Sequence, residues 1–209
     1  MEEGQSLTSC HVSSLVIDRL CDRAVEHNAG VAGFYCDFAA RKEQSPTNIL
    51  GAVLRQLVGG LAEIPEEIKQ AHRDYKRAIG GRRLQLADIL SMLQTVVSKK
   101  PSFICIDGLD ECVVEYRTKL LVSLNQVLQK SPGTRVFLTG RPQMQADVVR
   151  RLSGRVMTIL ITPRRPDIIS YLHYRLGEDG NPDEMDSDLE ADILKKIPEI
   201  SEMWVGATT

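Results

Sequence analysis

Apolar positions along this chain alternate between helical spacing and short continuous runs. Leu15, Val16, Leu20, Ala24 and Val25 recur at helical spacing, which predicts a helix over residues 13–28 with Asn28 and Gly30 as stop residues. Residues 31–38 are rich in strand formers and predict a mostly buried strand. Ser45-Pro46 is a strong helix start, with serine as cap and proline in the first position. That helix presents a wide apolar face through Ile49, Leu50, Val53, Leu54, Leu57, Val58 and Leu61. Pro65 opens a polar helix over 66–78, Gly80-Gly81-Arg82-Arg83 breaks the chain, and residues 86–98 resume as an amphipathic helix.

The second half repeats the alternation. Phe103-Ile104-Cys105-Ile106 runs straight into Asp107, the pattern of a strand buried on both faces. A helix over 118–129 ends at Ser131-Pro132-Gly133, and residues 134–139 form a second buried-type strand closed by Gly140-Arg141-Pro142. Residues 156–161 read as a third, and helices over 166–176 and 189–203 follow, separated by an acidic linker. Strands alternating with helices predict an α/β fold, a parallel sheet between helical layers. A domain boundary is expected near Pro163, so that residues 1–163 form the α/β domain and 164–209 the start of a helical subdomain.

Composition narrows the classes. With 209 residues, 43% hydrophobic and 26% charged, the chain has the make-up of an ordinary globular protein. A net charge of −2 argues against broad attraction to nucleic acid or to an anionic membrane, and no apolar run is long enough to span a bilayer. The N-terminus lacks the pattern of a signal peptide. The five cysteines, Cys10, Cys21, Cys36, Cys105 and Cys112, are scattered and odd in number, which fits reduced thiols in a cytoplasmic setting. Cys36 and Cys105 read as small core filler within strands. The four histidines make no metal spacing, and the acidic stretch 178–192 lacks the glycine and final glutamate of a calcium loop.

The candidate chemistry gathers at Asp107-Gly108-Leu109-Asp110-Glu111. Asp107 would stand at the carboxyl end of a buried strand, where open α/β sheets place their ligands. This is the shape of a Walker B element: Asp107 as a Mg²⁺ ligand, with Asp110 or Glu111 polarising an attacking water. The alternative is a turn in which Asp110 caps the next helix. A phosphatase of the aspartyl-nucleophile type needs its second acid two positions on and is excluded by this spacing. Arg141 leaves the following strand, so it could meet a terminal phosphate at the same sheet edge, with a hydroxyl contact from Thr139. The competing reading of Thr139-Gly140-Arg141-Pro142 is a strand exit and nothing more. No G-x-x-x-x-G-K-[ST] phosphate loop occurs in the sequence.

These residues resemble the NACHT domain of fungal signalling NTPases, the group related to heterokaryon-incompatibility proteins and to the nephrocystin-type N-terminal domain. The resemblance rests on Gly33-Phe34-Tyr35-Cys36-Asp37-Phe38, Pro46-Thr47-Asn48-Ile49-Leu50, the block from Asp107 to Cys112, and Thr139-Gly140-Arg141-Pro142. It implies Mg²⁺ with ATP or GTP as cofactor, water activation by Asp110 or Glu111, and γ-phosphate sensing by Arg141. It implies a switch that binds nucleotide and signals to an effector, with self-association or full-length NACHT proteins as partners. By the same resemblance the phosphate-loop lysine would fall on Ser9 and the Mg²⁺-binding hydroxyl on Cys10, neither a substitute. The implied strand order is 5-1-4-3-2 with strand 1 missing between 156–161 and 134–139. The expectation is therefore a domain truncated at both ends, of marginal stability and impaired in nucleotide binding. The alternatives are a non-enzymatic interaction remnant or a fragment of a larger NACHT protein.

Overall fold

A computed structural model of the chain describes residues 3–77, 84–152, 154, 156–161, 164–178 and 187–206. The expected chain break at residues 80–83, the boundary at Pro163 and most of the acidic linker lie outside the described residues. The elements are α1 (Glu3–His27), β1 (Gly30–Tyr35), α2 (Pro46–Gly59), α3 (Glu66–Arg77), α4 (Leu86–Lys99), β2 (Ser102–Asp107), α5 (Val114–Lys130), β3 (Arg135–Leu138), α6 (Gln145–Arg151), α7 (Arg165–Glu178) and α8 (Ser187–Gly206). The chain divides into two compact units, residues 1–157 and 158–209; in the second, α7 packs on α8.

The described strands form a three-stranded parallel sheet in the order β1-β2-β3. β2 is central, with Ile104 aligned to Ala32 on one side and Val136 on the other. Because side chains alternate across a strand, β2 serves two layers. Ile104 and Ile106 join Ile49, Leu50 and Val53 of α2, Leu93 and Val96 of α4, and Leu120, Leu121 and Leu124 of α5 in one core. The other face meets α1. A Cβ on Gly33 would lie 2.9 Å from Ile17 Cδ1, so the bare glycine permits α1 to approach β1 this closely.

Local signals hold where they are strong. The Ser45 side chain accepts from Asn48 N at 3.3 Å and Pro46 opens α2. Asn28 adopts φ 47°, the left-handed conformation that ends α1. On the outer edge of β1, Gln56 of α2 accepts from Gly33 N (3.0 Å) and donates to Gly33 O (2.8 Å), satisfying both backbone groups that face away from β2.

Four expectations need correction. Residues 156–161 are not a strand: they are irregular and exposed, with Ile159, Leu160 and Ile161 each more than 60% accessible. A strand exists only through its ladder, and among the described residues no strand pairs with the outer edge of β3; β-propensity without a partner does not suffice. α1 begins at Glu3 rather than Ser13. α5 begins at Val114 rather than Thr118, with Glu115 in its first turn complementing the helix dipole. β1 ends at Tyr35, so Cys36 and Phe38 belong to the loop beyond it.

Candidate functional site

The parallel strands place their carboxyl ends on one edge, and the predicted residues meet there. Asp107 ends β2 on the α1 face and is 7% exposed. Its Oδ1 accepts hydrogen bonds from Thr139 Oγ1, just beyond β3, and from Ser13 Oγ on α1. Thr139 is fixed from several sides: its N–H donates to Ile106 O (3.0 Å), its carbonyl accepts from Leu109 N (2.9 Å), and its Oγ1 accepts from Gly108 N (3.0 Å). Gly108 turns the chain at φ 67°, and a Cβ there would meet Cys36 O and the Glu111 carboxyl at 3.4 Å each.

The turn Leu109–Glu111 then spreads the acids apart. Asp110 pairs with Arg141, whose Nε lies 3.1 Å from Oδ2 and whose backbone N–H donates to Oδ1 at 3.2 Å. Glu111 reaches the other way, and its Oε2 accepts from Phe38 N at 3.0 Å. The loop carrying Phe38 is itself braced: Gln44 bonds both Asp37 N and Asp37 O at 3.1 Å, and Arg41 lies over the Phe38 ring at 4.1 Å. Below the acidic turn lies a cleft of about 680 Å³ lined by Phe38, Arg41, Asp110, Glu111, Cys112 and Arg117.

The structure thus joins Asp107 to Thr139 and Asp110 to Arg141, and sends Glu111 to the exit of β1. Asp110 binds the Arg141 backbone and side chain and does not cap α5, whose first turn begins later. Sequence reasoning missed Ser13, 1% exposed, whose hydroxyl on α1 donates to Asp107. It also missed a thiol pair, Cys36 and Cys112, with Sγ atoms 3.2 Å apart. Nothing in the sequence spacing signals that pair.

Burial pushes the Glu111 carboxyl above its ordinary pKa, offset by the Phe38 N–H and reinforced by Asp110, Asp107 and Asp37. Glu111 in the folded chain therefore holds its proton to higher pH than in the unfolded chain, whose ordinary value is 4.5. Stability contributed at lower pH is lost as pH rises through the folded pKa. Glu111→Gln is expected to flatten that decline, read as urea midpoints across the mildly acidic range; an unaltered slope would place the titration on another group. The shared hydrogen bond raises the Cys36 thiol and lowers Cys112, which Arg117 also favours as thiolate.

Asp107, Ser13 and Thr139 form an all-oxygen donor set that suits Mg²⁺, a hard cation usually held by one or two carboxylates with substrate phosphates. Among the described residues no group of three or more His, Cys, Asp or Glu forms an all-protein metal cage.

A three-stranded parallel sheet between helical layers, with carboxylates at the carboxyl end of its central strand, defines a P-loop NTPase-like α/β domain. The ORC1 protein of Aeropyrum pernix, solved in complex with DNA, superposes with a TM-score of 0.52 at 18% identity, covering 95% of this chain. The chain spans about half of that protein, 52% of its length, and the likeness concerns the fold alone. The family described as "Nephrocystin 3, N-terminal" matches residues 9–141, and the chain belongs to that NACHT-related family. No curated protein sequence matches the chain.

Proposed function

We propose that this chain is a NACHT-type signalling switch whose acidic turn engages Mg²⁺ and the phosphates of ATP or GTP. The observation that carries this reading is the convergence of Asp107, Ser13 and Thr139 at the carboxyl end of β2, with Arg141 held on the same edge by Asp110. Asp107 and the two hydroxyls would hold the ion, which when bound neutralises phosphate charge. Arg141, about half exposed, is positioned to exchange the Asp110 carboxylate for a terminal phosphate. Glu111 is the better placed acid to orient a water, because its raised pKa suits a proton acceptor and Asp110 is engaged by Arg141.

Backbone donors and a lysine supply much of the phosphate contact in P-loop sites, and these residues contain no such motif. Binding is therefore expected to be weak, with a Kd approaching millimolar, about −4 kcal/mol. The test is a titration with fluorescent ATP and GTP analogues, with and without Mg²⁺, repeated on Asp107→Ala. Saturable binding that needs both Mg²⁺ and Asp107 is the expected result; none up to about millimolar would remove the nucleotide reading.

A second reading follows from the outer edge of β3, which no strand among the described residues pairs with: an interaction module that engages full-length NACHT proteins or another copy of itself. Association that persists in Asp107→Ala would favour it. No helix among the described residues is long and apolar enough to cross a membrane. Free thiols at the described Cys21, Cys36, Cys105 and Cys112 fit a cytoplasmic setting under either reading.

A further inference from the structure

We propose that Cys36 and Cys112 are a reversible dithiol–disulfide pair, an oxidation site that clasps the exit of β1 to the end of the acidic turn. The inference is independent of whether the neighbouring carboxylates bind nucleotide. The two sulfurs lie 3.2 Å apart although 76 positions separate them in sequence, and both residues are buried. A disulfide needs a separation of about 2 Å, so closure asks for a movement of roughly 1 Å.

The backbone on each side is already held in place for that step. Cys36 N donates to Asp107 O at 2.9 Å and Cys112 N to Leu109 O at 3.4 Å. Glu111, the residue before Cys112, bonds Phe38 N, two residues after Cys36, so the same two segments are already tied together beside the thiols. Gly108 passes so close to Cys36 that a Cβ would sit 3.6 Å from its Cβ. Small rotations about the side-chain bonds, with little backbone motion, can therefore bring the sulfurs together.

Access and chemistry point the same way. Cys112, 4% exposed, lines the cleft of about 680 Å³, which is the side from which a small hydroperoxide would approach it. Arg117, on the same cleft wall, favours the thiolate that attacks. The Cys112 thiolate attacks one peroxide oxygen, the O–O bond breaks, and water leaves after protonation, giving a sulfenic acid. The Cys36 sulfur then attacks the Cys112 sulfur and expels a second water. Two thiols lose two protons and two electrons while one hydrogen peroxide becomes two waters. Cys105 is equally buried but projects from β2 toward α1, on the face away from the core, and serves as an internal control.

Formed, the bond would fix the acidic turn to the β1 exit and hold Glu111 in its present seat. The test uses the full chain: treat with hydrogen peroxide, denature, alkylate remaining thiols and map the peptides by mass spectrometry. The expected result is a Cys36–Cys112 linked peptide, two hydrogens lighter than the reduced pair and recovered by dithiothreitol, with Cys105 still alkylated. Cys36→Ser should abolish the link and leave a Cys112 sulfenic acid trapped by dimedone, and Cys105→Ser should leave the link unchanged. Recovery of both Cys36 and Cys112 as alkylated thiols, at a peroxide dose that oxidises exposed Cys21, would overturn the proposal. So would over-oxidation of Cys112 without a link. None of these readouts depends on nucleotide binding, so this proposal and the switch reading fail separately.

Discussion

Ile104→Ala is expected to destabilise the α/β unit by about 4 kcal/mol, within the range of roughly 2–5 kcal/mol for truncating a buried isoleucine. Ile104 is fully buried on the central strand, where it joins the core formed with α2, α4 and α5. Its neighbours in register, Ala32 and Val136, are too short to fill the space it would vacate without moving their strands. Domains of this kind hold only about 5–15 kcal/mol in total, so the loss is a large share of the whole. Urea unfolding would read it as a lower midpoint with an unchanged slope. A shift equivalent to less than about 1 kcal/mol would mean that the helical layer does not pack on β2 as described.

Asp147→Ala is the second large effect, about 2–3 kcal/mol. Asp147 of α6 is the shared carboxylate for Arg150 at 2.6 Å and for Arg117 and Arg151 at 3.8 Å each. Arg117 is buried on α5, and its Nε has no hydrogen-bond partner among the described residues. Removing the carboxylate leaves that buried cation uncompensated, which costs about 3–5 kcal/mol when a pair is fully buried. The expectation is set lower because Asp147 keeps about a quarter of its side chain in water. Arg117→Met should be close to neutral, since it removes the charge and keeps the bulk, and combining it with Asp147→Ala should restore most of the loss. The same urea series decides it: a double variant no better than Asp147→Ala would locate the cost elsewhere on α6.

The legible parts of the fold were those fixed by local chemistry. The run Phe103-Ile104-Cys105-Ile106 ending in Asp107 suited a buried strand with an acid at its exit, and the structure has it so. Once the strands are parallel, their carboxyl ends share an edge, which is why Asp107 meets Thr139 and Asp110 meets Arg141. Ser13 was not legible, because a serine within a helix carries no mark of the partner that tertiary packing will bring to it. Residues 156–161 were misread for the same reason turned around: β-branched composition speaks for a strand, but pairing is decided by a neighbour that the local sequence does not contain. The Cys36–Cys112 pair depends on two separate chain turns arriving side by side, again a fact of packing rather than of spacing.

The amide of Gln56 gives the sheet a direction in which it can grow. By occupying both outward groups of Gly33, it stops up the middle of the β1 border, so that among the described residues the β3 border is the place for lateral addition. Endless stacking of copies needs two complementary borders per molecule, a head and a tail. A molecule with one usable border can meet only the same border of another copy, in a twofold arrangement that consumes both. Sheet-to-sheet assembly through these described strands would therefore stop at a pair and not propagate into a filament.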